Sequence, residues 1–284
     1  MDGGSAGEAA GSTPEAGSAA AAAAAVERWD DFNAEAGAEW YRKGVGYWAG
    51  VAPTVDGVLG GFGHVSATDA RDSAAFAGKV LRGLLERRAR GGGRLAVADC
   101  GAGIGRVTQE VLAGFFDDFV LVEPVAHFLD QARANLAPLE REGKTFAYEG
   151  VGLEAFAPAA ASLDVVWVQW CIGHLTDEDF VAFFERCAKG LRPGGMVILK
   201  ENTCRKGFVV DQEDSSVTRS DVYFQQLFKY SGFKIIRQEA QKDFPKELFR
   251  VKMYALQPLE LALAEAEAEK PAAKRSRTAG PTLL

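Results

Sequence analysis

Gly101, Gly103 and Gly105 recur at alternate positions just after Asp99, in the run Arg94-Leu-Ala-Val-Ala-Asp-Cys-Gly-Ala-Gly-Ile-Gly-Arg106. Glycines spaced this way let the backbone approach a ligand closely. Leu95 to Ala98 is a short apolar run of the kind that fills a buried parallel strand, and Ile104, Val107, Val111 and Leu112 follow at helical spacing. Strand, glycine turn and helix make the first half of a nucleotide-binding βαβ unit, with the ligand outside the strand's carboxyl end. The spacing narrows the ligand. A dinucleotide site needs G-x-G-x-x-G; here the third glycine comes one residue early and Arg106 stands where that motif wants Gly. No G-x-x-x-x-G-K-[ST] occurs, which excludes a P-loop. A second apolar run, Phe119 to Val122, ends at Glu123, whose two oxygens can accept both hydroxyls of a ribose.

The elements that must hold these residues follow from pattern and punctuation. Trp29, Phe32, Ala36, Trp40 and Tyr41 recur at helical spacing from about Val26, and Tyr47 and Trp48 come after two further glycines. Such a helix is core packing or a cap on the substrate side. Pro53 to Ser66 alternates glycines with Val58, Leu59, Phe62 and Val65, a tight, shaped loop. Ser66 with Asp69 reads as an N-cap for the helix through Phe76, Val80, Leu81, Leu84 and Leu85, which Arg87 to Gly93 closes. After Glu123 come a helix over Phe128, Leu129, Ala132 and Leu136, a strand from Lys144 to Tyr148, and a turn from Gly150 to Phe156. Leu163 to Val168 is a strand running into Gln169, Trp170, Cys171 and His174; Thr176 caps the helix through Phe180, Phe183, Phe184 and Cys187. Leu191-Arg-Pro-Gly-Gly195 turns into a strand from Met196 to Lys200, the Asp211 to Ser216 stretch is polar, and a helix spans about Val222 to Tyr230. Phe233 to Arg237 and Phe249 to Leu256 read as a terminal antiparallel pair.

The expected fold is therefore α/β: a Rossmann-like, mostly parallel seven-stranded sheet with an antiparallel C-terminal strand and an N-terminal helical extension. The expected organisation is a disordered Ala/Gly-rich tail over 1–26, one domain over 27–257 whose first part, 27–65, caps the substrate side, and a disordered tail over 258–284. With 48% apolar residues in 284, one substantial core is affordable. A formal charge of −7 argues against coating nucleic acid and favours a cationic partner. Four scattered cysteines without a C-x-x-C pair suggest reduced thiols and neither a disulfide frame nor a zinc site. No stretch is long enough for a membrane span, and the first 25 residues lack the Lys and Arg of a targeting peptide. Neither nucleic acid, membrane nor metal is expected as a partner. Lys270, Lys274, Arg275 and Arg277 form a basic cluster that reads as a nuclear import signal or a solvated tail, and the expected location is nucleus and cytoplasm.

The G-x-G-x-G turn after an acidic strand end resembles the S-adenosylmethionine site of class I methyltransferases. A narrower resemblance rests on several segments: Pro53-Thr-Val-Asp-Gly; Leu59-Gly-Gly-Phe-Gly-His; Asp99-Cys-Gly-Ala-Gly-Ile-Gly-Arg; Val168-Gln-Trp-Cys-Ile-Gly-His-Leu-Thr-Asp; Leu191-Arg-Pro-Gly-Gly; Lys200-Glu-Asn; and Asp214-Ser-Ser-Val. Together, from about Trp40 to Leu256, they resemble the protein N-terminal methyltransferases, which methylate the α-amino group of proteins beginning X-Pro-Lys or X-Pro-Arg. The resemblance implies S-adenosyl-L-methionine as cofactor, with Gly101, Gly103 and Arg106 at its amino-acid end, Glu123 on the ribose, and Gly152, Leu153 and Gln169 in the same pocket. Animal members usually have Asp where Glu123 stands. It further implies that Trp170 packs on the substrate proline, that Trp48, Leu59, Gly60 and Val65 line the channel, and that Asn202 binds the terminal residue's backbone. Asp211 and Ser216 would receive the third-residue cation, and Asp214 and His174 would act on the amine. Phe249 replaces a tyrosine of the animal members and is at best a wall.

The chemistry agrees from its own side. An α-amine, with a reference pKa of about 8, is mostly protonated near neutrality and must lose a proton before it can attack a sulfonium methyl. His174 sits just past a strand's carboxyl end, and an acidic mouth from Asp211 to Asp214 suits a cationic peptide. Two other classes share the cofactor turn. A small-molecule methyltransferase has no need of an acidic, aromatic channel, and a non-catalytic binding module would be expected to lose Gly101, Gly103, Gly105 or Glu123.

Overall fold

The apolar runs close into one sheet. The computed structural model describes residues 37–259, and its strands are β1 Ala96–Cys100, β2 Asp118–Val122, β3 Thr145–Glu149, β4 Leu163–Gln169, β5 Leu191–Thr203, β6 Phe208–Asp211, β7 Ser216–Arg219, β8 Phe233–Ala240 and β9 Arg250–Pro258. Seven of them pair in the order β3-β2-β1-β4-β5-β9-β8, and β6 and β7 form a separate antiparallel hairpin. β1 to β5 are parallel, and β9 runs antiparallel between β5 and β8. The order reverses between β1 and β4, so a crevice opens at the carboxyl ends of those two strands.

Every residue of β1 and β4 is buried, as strands covered on both faces must be. The helices that cover them are α1 Gly37–Ala49, α2 Val55–Val58, α3 Ser66–Val80, α4 Arg82–Ala89, α5 Arg106–Glu110, α6 Ala126–Arg141, α7 Asp177–Gly190 and α8 Asp221–Tyr230. Phe76, Leu81 and Leu84 of α3, α4 and the link between them join Leu129 and Leu136 of α6 against Val97, Val165 and Ile198. On the other face, Phe180, Phe183 and Phe184 of α7 pack with Phe224 and Phe228 of α8 against Ala98, Val166 and Val197. Each fully buried phenylalanine contributes about 1.5–3 kcal/mol of transfer free energy. α1, α2 and the loop after it lie over the carboxyl edge of the sheet, where a cap was expected.

Several expectations need correction. α1 runs through Gly44 and Gly46 to Ala49, so Tyr47 and Trp48 belong to the same helix as Trp40 and Tyr41. A Cβ on Gly44 would lie 3.2 Å from the Asp214 carbonyl oxygen, so this glycine serves close approach rather than a turn. Ser66 is not an N-cap. A 3-10 turn, Gly63–Val65, leads directly into α3, so Ser66 is already helical, and its hydroxyl meets Arg106 and Glu110 instead. β5 begins at Leu191, five residues before the expected Met196, with an irregular register beside Leu163 and Val165. The hairpin β6–β7 was not anticipated; the polar stretch from Asp211 to Ser216 is its turn. The helical pattern at 26–36 and the tails over 1–26 and 260–284 lie outside the described residues.

Candidate active site

All three glycines of the turn adopt left-handed backbone: φ is +67° at Gly101, +53° at Gly103 and +75° at Gly105. Side chains rarely tolerate that region. At Gly101 the packing forbids them as well, because a Cβ would sit 2.5 Å from the Cys171 Sγ. The turn is pinned to β2, with the Gly101 and Ala102 N–H groups donating to the Val122 carbonyl at 2.8 and 3.1 Å. Its third free N–H, on Gly103, donates to Glu123 Oε2 at 3.0 Å, while Val125 N–H donates to Oε1 at 2.9 Å. Each carboxylate oxygen keeps a second lone pair for a ligand hydroxyl. Burial raises the Glu123 pKa, and the two N–H groups work against that rise.

Around this cradle lies an open cavity of about 1070 Å³. Gly101, Gly103, Arg106, Glu123, Gly152, Leu153 and Gln169, the residues expected to hold a cofactor, all border it. α1 roofs it with Trp40, Tyr41, Gly44, Val45 and Trp48, of which Trp48 is expected in the substrate channel and the others have no expected place in the cofactor pocket. The turn carrying Gly152 and Leu153 is held from behind by Arg186 of α7, whose guanidinium donates to the Leu153, Glu154 and Phe156 carbonyls at 2.9, 2.9 and 2.7 Å.

Arg106 is buried and engaged. Its Nη1 lies 2.8 Å from Asp69 and 3.2 Å from Ser66 Oγ. Asp69, fully buried, also accepts from Gln169 Nε2 at 2.9 Å and forms an ion pair with the buried Lys200 ammonium. Lys200 donates further to Ser73 Oγ at 2.8 Å and Gln241 Oε1 at 2.6 Å. Burial lowers the Lys200 pKa and Asp69 opposes that. One inward-facing acid on α3 therefore orients two cofactor-pocket side chains, Arg106 and Gln169. Read in one dimension, Asp69 belongs with Ser66 to a capping signal.

A second cavity of about 1000 Å³ adjoins the first and shares Trp48, Val58, Leu59, Trp170 and His174 with it. Gly60, Val65, Asn202, Asp214 and Ser216 border it, as expected of a substrate channel. Phe249 is one wall, and Phe62, Phe244 and Leu248, to which no role had been given, are others. Trp170 stands between the two cavities with φ +55°, strained for a bulky residue. Its ring has the Lys200 ammonium at 5.9 Å and the Arg106 guanidinium at 5.8 Å, and Phe244 at 6.3 Å. Such contacts hold the plate in an otherwise costly conformation.

His174 is fully used by the protein. The Trp48 indole N–H, a donor only, points to Nε2 at 3.1 Å, and the Ser215 carbonyl, an acceptor only, faces Nδ1 at 2.9 Å. These partners fix the tautomer with the proton on Nδ1 and the Nε2 lone pair facing Trp48. The imidazole can take a substrate proton only by giving up Trp48. Asp214 is the opposite case: Oδ1 is buried with no hydrogen-bond partner, and burial raises its pKa, against the pull of Ser216 and His174. Asp211 departs from expectation. It ends β6, is exposed, borders neither cavity, and its Oδ1 accepts the Glu213 N–H at 2.8 Å to cap the hairpin turn. Its charge adds to the rise that burial gives the pKa of Asp214 and of Tyr47. Among the described residues no cluster of His, Cys, Asp and Glu could hold a metal ion, and no helix is long and apolar enough to cross a membrane.

Known proteins resemble this chain in sequence and in fold. The Arabidopsis thaliana alpha N-terminal protein methyltransferase 1 is 51% identical over 219 residues, covering 77% of this chain and 79% of that protein. The Xenopus laevis N-terminal Xaa-Pro-Lys N-methyltransferase 1-B is 39% identical over 219 residues, covering 77% of this chain and 95% of its own. Among solved structures, a SAM-dependent methyltransferase from Leishmania major matches with a TM-score of 0.68 at 38% identity, over 77% of this chain and 83% of that one. The family described as AdoMet dependent proline di-methyltransferase matches residues 36–257. By the family match over most of the chain and by the identity to these relatives, the chain belongs to the family of S-adenosylmethionine-dependent protein N-terminal methyltransferases.

Proposed function

We propose that this chain methylates the α-amino group of proteins whose exposed N-terminus reads X-Pro-Lys or X-Pro-Arg, and that the channel residues named above select that sequence. The observation that carries the reading is the juxtaposition of an aromatic plate, Trp170, with a buried carboxylate, Asp214, on one channel that opens onto the cofactor cavity. When bound, S-adenosylmethionine supplies an electrophilic methyl on a sulfonium. The chain's own residues do the rest. Proline in second place has fixed φ and no N–H, so it needs an apolar face and no acceptor, which Trp170, Phe244 and Phe249 supply. Asn202 offers an amide to the terminal residue's backbone. Asp214 Oδ1 takes the proton that the ammonium must shed, and His174 holds Trp48 and the Ser215 carbonyl in place beside it. The exposed acids Asp211 and Glu213 attract the third-residue cation from the rim, a contribution of about 1 kcal/mol or less that salt weakens.

The decisive experiment offers peptides beginning Ser-Pro-Lys, Ser-Pro-Glu and N-acetyl-Ser-Pro-Lys with the cofactor and reads products by mass spectrometry. Methyl groups should appear on the α-amine of the first alone, or nearly so, with none on the lysine side chain. Methyl on that side chain, or equal turnover of the acetylated peptide, overturns the reading. A metabolite panel turned over in preference to the peptides would favour a small-molecule enzyme instead.

The cofactor assignment has its own check. Glu123→Ala removes the acceptor for the ribose hydroxyls and frees two backbone N–H groups, and should weaken S-adenosylmethionine binding by about 1.5–3 kcal/mol. Titration calorimetry showing unchanged affinity would remove Glu123 from the site. Residence in nucleus and cytoplasm is part of the same proposal and rests on the basic cluster at Lys270, Lys274, Arg275 and Arg277, outside the described residues. A tagged chain cut after Pro258 that distributes like the whole one would contradict it.

A further inference from the structure

Glu201 lies in the Lys200-Glu-Asn segment, but no role was assigned to it there and the mechanism above does not employ it. It sits on β5 between Lys200 and Asn202, and strand alternation turns it away from Lys200 and the α3 side, toward the face where Leu199 and Tyr254 are packed. It borders the substrate channel together with Asn202, Asp214 and His174. Only 5% of it is exposed. One oxygen, Oε1, accepts the Asn202 N–H at 2.7 Å; the other, Oε2, is buried and has no hydrogen-bond partner among the described residues.

A buried carboxylate oxygen left without a donor forfeits its hydration with nothing in return, and folded proteins keep few of them. Here Asp214 Oδ1 and Glu201 Oε2 are two such oxygens on the wall of one channel. Two acceptors without donors fit a ligand that brings donors and no acceptors at that point. A substrate α-ammonium is such a group, with three N–H bonds on one nitrogen.

We propose that Glu201 is a second proton acceptor for the substrate α-amine, working beside Asp214 through its unpartnered Oε2. The step balances within the channel. An N–H bond of the ammonium breaks, its electron pair stays on nitrogen as the attacking lone pair, and the proton bonds to Oε2 to give the neutral carboxylic acid. Each methyl transferred requires one such proton loss, and the channel holds two carboxylates able to receive it. The groups that face Glu201 support the role. Burial pushes its pKa up to about 7, with the Asn202 N–H, the Arg219 guanidinium and the Ile172 N–H pulling it down and Asp214 adding to the rise. Tyr254 and Cys171 also feel its charge, and Lys252, opposite it on β9, is committed to Asp221 at 2.8 Å. An acceptor matched to neutral pH is what proton abstraction at that pH requires.

The proposal rests on the N-terminal methylation reading, so wild-type turnover of the same peptide is measured first; its failure would sink that reading, and only the comparison below bears on Glu201. Glu201→Gln keeps the shape and the Oε1 contact but cannot hold the proton. With a Ser-Pro-Lys peptide, its kcat should fall at least about tenfold at pH 7 and recover toward wild type as pH rises past about 8, where the amine arrives unprotonated. S-adenosylmethionine affinity by calorimetry should stay within about twofold, which a collapsed site would not show. A loss independent of pH, or no loss, overturns the proposal. Should Glu201→Gln fail to fold, the unaltered enzyme decides. Binding of the trimethylated product peptide, which has no N–H to lose, should release protons near pH 7, seen as a dependence of binding heat on buffer ionisation enthalpy. No release overturns it.

Discussion

Replacing Asp214 with Asn should lower kcat for an X-Pro-Lys peptide by about 10²–10⁴-fold, the range lost when a positioned general base is removed, while S-adenosylmethionine binding stays nearly constant. The variant keeps the volume and one acceptor oxygen but loses the charge and the capacity to take a proton. Its remaining turnover depends on amine that arrives already neutral, a fraction that falls about tenfold per pH unit below the amine's pKa near 8. The gap between wild type and variant should therefore widen as pH falls. It stops widening once Asp214 itself becomes protonated, and burial moves that point above the ordinary aspartate range. A pH–rate series in which the two curves stay parallel would place the proton elsewhere. His174→Gln gives the contrast. Because the imidazole's Nε2 is occupied by Trp48 and its Nδ1 by Ser215, its loss should loosen Trp48 and show in KM as much as in kcat.

The largest effect on stability should come from a residue that never meets a ligand in this arrangement. Asp69→Ala would leave the buried Lys200 ammonium and Arg106 guanidinium without their common counter-ion. Breaking a buried pair by removing one partner costs about 3–5 kcal/mol, which for a domain of this size lowers Tm by roughly 6–20 °C. Thermal melting of the purified variant measures it. Pairing Asp69→Leu with Lys200→Met removes both charges and should recover part of the loss, because two apolar side chains replace an ion pair that must be desolvated. A melting shift below about 2 °C for Asp69→Ala would mean that water or a shifted side chain compensates the two cations.

The parts of this fold that were legible in the sequence are those fixed by local chemistry. The β1 strand, its glycine turn and Glu123 could be read because left-handed backbone admits little but glycine and because a buried strand leaves an unbroken apolar run. Gly152, Leu153 and Gln169, which border the same cavity, were named only through the family resemblance. The misses are residues whose meaning is set by what faces them. Ser66 and Asp69 match a helix-start signal, yet a preceding 3-10 turn removes the need for a cap and turns the acid inward to Lys200, 131 residues away. The role of Gly44 inside α1 is likewise set by what faces it, since a Cβ there would lie 3.2 Å from the Asp214 carbonyl oxygen. The β6–β7 hairpin was hidden by its brevity: Phe208–Asp211 and Ser216–Arg219 are four residues each, too short for their alternating burial to read as a period in the sequence. Asp211 shows the same limit from the other side: an acid in a rim motif, spent on capping the turn that presents Asp214. Glu201 had a signal, a lone acid at the end of a buried strand, but nothing in one dimension says which face it takes.

The placement of β9 has a consequence for how the molecule comes into being. β5 carries Lys200, Glu201 and Asn202, and its outer edge is paired from Val197 to Thr203 by Leu256 back to Arg250. Chains emerge from the ribosome N-terminus first, and domains fold as units during that passage. The glycine cradle and its five parallel strands are all synthesised by Thr203, yet the edge bearing the channel's polar groups stays bare until residue 258 has been added. For that interval the nascent chain presents an open strand that any passing segment could extend. Birth order thus separates two capacities in time: a cradle for a nucleoside is complete early, and a wall able to judge a peptide is finished among the last residues of the sheet.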